Sequence, residues 1–314
     1  MRAATIVDGN IEIRSHPDPR PEAGQLLVRV ASAGLNGADM IQLSGGYPPP
    51  PGWPADIPGM ELAGTVEAVG PGPMRFGVGD RVMAVVGGGA QASLAIVPDR
   101  EAMPVPDKMD LVEAGGFPEV FTTAHDALFT QAGLRMGEHL LIHGAAGGVG
   151  VAAVQLGAAA GARVTATCRN PERRGDVAAL GATVIDPSET LDHGPYDVIL
   201  ELVGAPNMED NLRALATGGR IAVIGTGAGA QASINLGLLM RARGRIHGST
   251  LRARPPEEKA MAARAIERSV LPLVTAGRVR VLIDSTFPLS GAADAYARFA
   301  AGGKLGKIVI VADD

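Results

Sequence analysis

Gly144, Gly147 and Gly150 stand three residues apart, between the apolar run Glu138–Ile142 and the Ala- and Leu-rich stretch Val151–Ala160. Glycines so spaced let a strand turn sharply into a helix. They also let backbone approach a pyrophosphate, which the free N–H groups and positive end of the helix would hold. The pattern is G-x-x-G-x-x-G, with Ala146 where the stricter G-x-G-x-x-G fingerprint has glycine. A glycine trio alone is a weak signal; its place after a strand and before a helix gives it meaning. Gly144, Ala146, Gly147, Gly148, Val149 and Gly150 are therefore candidate dinucleotide contacts. A purely structural glycine turn is the alternative.

The strand Arg163–Thr167 follows and runs into Cys168-Arg169-Asn170-Pro171-Glu172-Arg173-Arg174. An NAD site usually has Asp or Glu at this strand end, bound to the ribose 2′-hydroxyl. Here Arg169 stands in that neighbourhood, and a guanidinium suits a 2′-phosphate dianion. The expected cofactor is NADPH, with Arg169 and Arg173 as its contacts. The alternative for Arg173 and Arg174 is a pair of solvated helix-face charges, and it fits Arg174 better. A later strand, Arg220–Ile224, ends in Gly225-Thr226-Gly227, which adds Gly225 and Thr226 to the candidate cofactor residues.

These residues need a scaffold. From about Glu119 the chain alternates strand and helix signals: helical spacing at Val120–Gln131, strand Glu138–Ile142, helix Val151–Ala160 and strand Arg163–Thr167, then helix Pro171–Leu180 and strand Thr183–Ile185. Strand Asp197–Leu202, helix Met208–Ala216 and strand Arg220–Ile224 complete the series. Such alternation means parallel βαβ units. The first hundred residues instead read as short β-branched strands, interrupted by Ser44-Gly45-Gly46-Tyr47 and four consecutive prolines that exclude helix. After Pro255-Pro256 come one long helix, Glu257–Ala276, and strand signals at Val279–Leu282 and Lys307–Val311. That tail is too small to fold alone, so its simplest packing is against the first segment.

Composition sets outer bounds. The 314 residues include 43 glycines and 23 prolines, both above average usage, yet 46% are hydrophobic, enough for a core and too many for a disordered chain. The net charge of −5 leaves no footprint for nucleic acid or an anionic membrane. A single cysteine, Cys168, rules out an internal disulfide and a Cys-rich zinc site. The N-terminus lacks the apolar core of a signal peptide, and Leu140–Ala162, though uncharged, carries six glycines and does not read as a membrane span. A cytoplasmic protein is the expectation.

An ordered set of segments resembles the zinc-free quinone oxidoreductases, the zeta-crystallin-like branch of the medium-chain dehydrogenase/reductase superfamily. It comprises Ala33-Gly34-Leu35-Asn36-Gly37-Ala38-Asp39, Gly46-Tyr47-Pro48-Pro49-Pro50, Gly59-Met60-Glu61, Gly79-Asp80-Arg81-Val82, Thr122-Thr123-Ala124, the Gly144–Gly150 turn, Gly248–Arg254 and Gly303-Lys304-Leu305-Gly306-Lys307. The resemblance implies an α/β protein: a GroES-like β-barrel catalytic domain (1–117 and 253–314) plus a Rossmann doubly wound parallel sheet that binds NADPH (118–252), the nicotinamide lying in the cleft between them. It implies NADPH-dependent reduction of a small-molecule quinone or enone in a homodimer. No catalytic zinc is expected, because no Cys lies in Asn36–Asp39 and Met60, not His, precedes Glu61.

The resemblance also brings in residues that spacing alone does not. Thr123, Thr250, Leu251 and Lys307 match positions near the cofactor. For Thr123 a helix N-cap, and for Lys307 a solvated strand edge, are the alternatives. A reductase with neither metal nor flavin transfers hydride directly and needs only donors for the developing oxyanion. Tyr47 is the candidate donor, against packing under the polyproline turn. Asn36 would orient the nicotinamide ribose or the substrate carbonyl, against a plain turn role. Asp39 reads as a structural partner rather than a base, Trp53 as a residue of the substrate mouth, and His139 and His143 as non-ligands.

The nearest competing function is an enoyl thioester reductase of the same fold. From another class comes a non-catalytic NADPH-binding sensor. Short-chain dehydrogenases are excluded, because none of Tyr47, Tyr196 and Tyr296 has a lysine four residues on.

Overall fold

Short β-branched runs bounded by turn residues leave the early chain little to form but strands. In the computed structural model, which describes residues 1–313, these are β1 (Arg2–Val7), β2 (Asn10–Ser15), β3 (Gln25–Leu35), β4 (Glu61–Val69), β5 (Arg81–Val85), β6 (Leu94–Pro98) and β7 (Met103–Pro104). Three helices interleave with or follow them: α1 (Gly37–Leu43), α2 (Leu111–Gly115) and α3 (Pro118–His125). The chain divides into two units. The first holds Met1–Thr122, Leu251–Gly277 and everything from Val281 on; the second holds Thr123–Thr250 with Arg278–Arg280.

The second unit is a six-stranded parallel sheet: β8 (His139–Ile142), β9 (Arg163–Thr167), β10 (Thr183–Ile185), β11 (Tyr196–Glu201), β12 (Leu215–Val223) and β13 (Arg245–Gly248). The spatial order is β10-β9-β8-β11-β12-β13. This is the doubly wound order, reversing between β8 and β11, where such sheets bind ligands at their carboxyl ends. The sheet carries α4 (Gly148–Ala159), α5 (Pro171–Ala178), α6 (Met208–Arg213) and α7 (Leu236–Ala242). Every residue of α4 from Gly150 to Gly157 is buried, as expected of a helix apolar all round.

The returning segment supplies α8 (Pro256–Ser269), α9 (Leu271–Thr275), β14 (Ile283–Pro288), α10 (Ala292–Ala300) and β15 (Lys307–Val311) to the first unit. There β3 is the hub, pairing with β4, β6 and β15. Its inward Leu26, Val28 and Val30 pack with Leu62, Val66 and Val82 in one cluster. Each such buried side chain contributes about 1.5–3 kcal/mol. No helix among the described residues is long and apolar enough to cross a membrane.

The tail differs from its sequence reading in two places. The long helix predicted for Glu257–Ala276 is two, broken at Val270, because Pro272 has no N–H to donate to the preceding turn. The strand predicted at Val279–Leu282 starts instead at Ile283. Val279 and Val281 are buried but unladdered, whereas the more polar Ser285-Thr286 pair with β15.

Candidate active site

In the second unit the chain leaves β8 through Gly144, whose φ of +69° only glycine adopts without strain. Gly147 N-caps α4, and the first-turn amides of Gly148, Val149 and Gly150 have no acceptor within the helix. A Cβ on Gly150 would lie 2.6 Å from both Ala145 Cα and Gly144 O, so turn and helix meet backbone to backbone. At Gly147 the nearest atom to such a Cβ is Gly144 O at 3.4 Å, which leaves that face open. The result is a row of N–H groups at the positive end of a 12-residue helix, chemically fit for a pyrophosphate. Ala146 lies half-exposed beside it.

The loops after β11 and β12 join the same edge. A Cβ on Gly144 would sit 3.3 Å from Val203, one on Gly204 2.9 Å from Thr226 Cα, and one on Gly225 would overlap the Leu202 backbone. Beneath them runs a buried polar chain that the sequence did not disclose. Glu201 Oε1 accepts from the amides of Val203 (2.7 Å) and Gly204 (2.8 Å), and Oε2 from Asn211 Nδ2 (2.7 Å). His143 bridges Asn211 Oδ1 (2.7 Å) and Thr167 Oγ1 (3.2 Å), and that hydroxyl also receives the Gly144 amide at 3.4 Å. Burial above all depresses the His143 pKa, with Glu201 opposing. His143 thus ties the end of β9 to α6, and His139 is likewise packed, against Pro195 O and Thr165.

Arg169, at the end of β9, is exposed and forms no hydrogen bond or ion pair among the described residues. Arg173 is half-buried on α5, 3.7 Å from Asp176. Arg174 departs from the solvated charge expected of it. Its guanidinium donates to Cys168 O (2.9 Å) and Asp186 Oδ2 (2.5 Å), because Asp186 turns the chain back beside α5. Thr250 is exposed just beyond β13, and Leu251 is buried. Thr123 lies inside α3 rather than at its N-cap.

A second cluster lies wholly in the first unit. Lys307 opens β15 and is 2% exposed, so it is no solvated edge residue. Its Nζ donates to Leu35 O (2.9 Å) and Asn36 Oδ1 (2.6 Å) and pairs with Glu61 Oε1 at 2.7 Å. Three protons meet three acceptors. Asn36 Nδ2 donates to Gly34 O (3.2 Å) and Glu61 Oε1 (2.9 Å), and the Glu119 amide donates to Glu61 Oε2 (2.8 Å). The amide orientation of Asn36 is forced, since the reverse would face Nδ2 to an ammonium. Its remaining capacity is one Oδ1 lone pair, which suits a hydroxyl donor such as a ribose and not a carbonyl.

Asp39 completes the frame by accepting the amides of Asn36 (2.8 Å) and Gly59 (3.1 Å). Complete burial pushes its pKa up to about 6, against the pull of those amides and of Lys307. The folded state therefore holds this proton more tightly than the unfolded chain. The group's stabilisation is present at low pH and is lost as pH rises through about 6. The stability of the native protein relative to Asp39→Asn is expected to grow between pH 7 and 4.5, by about 2 kcal/mol. Urea unfolding of both at each pH checks this; a pH-independent difference contradicts it.

Tyr47 follows α1 in the glycine–proline loop and has a φ of +47°, rare for a residue with a side chain. Burial, and next the Glu119 carboxylate, raise its pKa, whereas Arg252 lowers it. It shares no hydrogen bond with Asn36 or Lys307; its ring faces the Arg252 guanidinium, 5.3 Å from the ring centroid. Trp53 is partly buried and packs against the barrel core.

The profile of the alcohol dehydrogenase GroES-like domain matches residues 22–107, and that of the zinc-binding dehydrogenase family matches 173–310. Quinone oxidoreductase of Rattus norvegicus is 33% identical over 307 residues, spanning 93% of this chain and 91% of the relative. The chain belongs to the medium-chain dehydrogenase/reductase superfamily, as a quinone oxidoreductase-like member. Such members are oxidoreductases acting on small molecules. Over 93% of its length the chain also matches 14% of a Mycobacterium tuberculosis phenolphthiocerol/phthiocerol polyketide synthase subunit, at 32% identity. An alcohol dehydrogenase superfamily protein of Novosphingobium aromaticivorans has the same fold, with a TM-score of 0.89, 30% identity and full coverage of both chains. A mycobacterial protein complexed with NADPH aligns with a TM-score of 0.87 and 25% identity, over 99% of this chain and 100% of that one.

Proposed function

We propose that the protein reduces quinones and related enones with NADPH, by direct hydride transfer and without metal or flavin. The observation that carries the reading is the free N–H row at the head of α4 with the exposed, unpaired Arg169 at the end of the neighbouring strand. The first suits a pyrophosphate and the second a 2′-phosphate. The similarity to quinone oxidoreductases and to a protein complexed with NADPH supports both halves. Arg169→Ala is expected to raise KM for NADPH at least about tenfold and leave KM for NADH unchanged. An unaltered NADPH preference refutes the assignment.

NADPH bound there would supply the hydride. Asn36 offers its one free lone pair to a ribose hydroxyl, with Lys307 and Glu61 holding its amide plane. Tyr47 donates its phenolic proton to the carbonyl oxygen that gains negative charge. Glu61 supports the metal-free reading: Lys307 and Asn36 fill one oxygen and the Glu119 amide the other, so the carboxylate already has its cation. Tyr47→Phe is expected to lower kcat about tenfold with 9,10-phenanthrenequinone, one hydrogen bond to developing charge being lost. Unchanged kinetics remove Tyr47 from the mechanism.

The polyketide synthase relative favours one alternative, reduction of an enoyl thioester. Protonation of a carbanion would then make Tyr47 matter more. We also propose a homodimer, for which the open edge at β13 and the exposed Leu236 and Met240 offer an apolar face.

A further inference from the structure

Arg252 is 3% exposed, and its guanidinium reaches three separate segments of the first unit. Nε donates to Gly87 O (2.7 Å), just beyond β5; Nη1 to Tyr47 O (2.9 Å); and Nη2 to Gln42 Oε1 (2.8 Å), at the end of α1. The same group lies 5.3 Å from the centroid of the Tyr47 ring. All three acceptors are neutral. The Asp39 and Glu119 carboxylates act on the guanidinium only through space, and a buried cation whose hydrogen bonds all go to neutral acceptors is costly, so a packing role alone would be better filled by an apolar side chain. Its backbone partner Tyr47 is in left-handed geometry, which costs about 1–3 kcal/mol and persists only where surrounding contacts over-determine it. Gln42, in turn buried, is anchored by its own donation to Ala55 O at 3.2 Å.

We propose that Arg252 is a positioning residue for the reaction, one that fastens the Tyr47 turn to the barrel and fixes the direction of the phenol. This rests on the reading of Tyr47 as the proton donor. Lysine, a point charge, cannot serve three divergent acceptors and one ring face together.

The test compares Arg252→Met, Arg252→Lys, Tyr47→Phe and the double variant Tyr47→Phe/Arg252→Met, with NADPH and 9,10-phenanthrenequinone. Arg252→Met should lower kcat about tenfold and leave KM for NADPH unchanged, since the hydrogen bonds of Arg252 all go to Gly87, Tyr47 and Gln42. The double variant should be no slower than Tyr47→Phe alone, because both remove the same contribution. A multiplicative loss in the double variant overturns the proposal, as does wild-type kcat in Arg252→Met. If Tyr47→Phe keeps wild-type kcat, the reading of Tyr47 fails by itself. A slow Arg252→Met would then show that Arg252 does not act through the phenol. Should Arg252→Met not fold, Arg252→Lys carries the test. The sole tryptophan, Trp53, packs against Gly87; unchanged Trp53 emission with lowered kcat supports positioning, and wild-type kcat overturns it.

Discussion

Lys307→Met is expected to destabilise the protein by about 3–5 kcal/mol, the usual cost of stripping a buried charge of its partner. The substitution keeps length and volume but leaves the Glu61 carboxylate, 0% exposed, without its cation. Asn36 Oδ1 would lose the ammonium that fixes its amide plane. Activity should fall with stability, since the free lone pair of Asn36 would no longer be aimed. Adding Glu61→Gln to Lys307→Met should recover part of the loss, because no unpaired charge is left buried, although the single amide oxygen can accept from only one of Asn36 Nδ2 and the Glu119 amide. Urea unfolding of the single and double variants measures both effects. A single-variant loss below about 1 kcal/mol means the ion pair is not the keystone argued above.

Gly150→Ala carries the other large effect. Alanine is the better helix former, so propensity alone predicts a small gain. The Cβ, however, would stand 2.6 Å from Ala145 Cα and Gly144 O, both of them main-chain atoms that no rotamer change can move aside. The turn must shift away from α4, at a cost of about 1–3 kcal/mol. The row of amides shifts with it. The expected result is a Kd for NADPH raised roughly tenfold to a hundredfold. Gly175→Ala on α5 is the control: nothing lies within 4 Å of its Cβ. It should leave binding unchanged and add up to about 1 kcal/mol of stability. Equal binding by Gly150→Ala and wild type would mean that the dinucleotide lies elsewhere.

The glycine turn was legible in the sequence because its geometry is written in residue type: positive φ at Gly144 and contact at Gly150 admit nothing larger. The doubly wound sheet followed from alternating strand and helix signals. The polar framework was less visible, because hydrogen-bond partners lie far apart in sequence. Glu61 and Lys307 are 246 residues apart, and only their shared position, a charge opening an apolar strand, hinted at burial. Glu201 closes the apolar run of β11 in the same way. Arg252 left no such trace, since its three acceptors are two main-chain oxygens and one amide. Lys307 and Thr123 show what the resemblance alone missed. It matched their positions but not that one is sealed inside an ion pair and the other within a helix.

The most direct test of the central claim is NADPH oxidation by the purified protein, followed side by side with 9,10-phenanthrenequinone, crotonyl-CoA and no acceptor, and repeated with NADH. Oxidation is expected to rise with the quinone, to run well ahead of that with crotonyl-CoA, and to prefer NADPH strongly. Oxidation that no quinone or enone accelerates, or a preference for the enoyl thioester or for NADH, would contradict it.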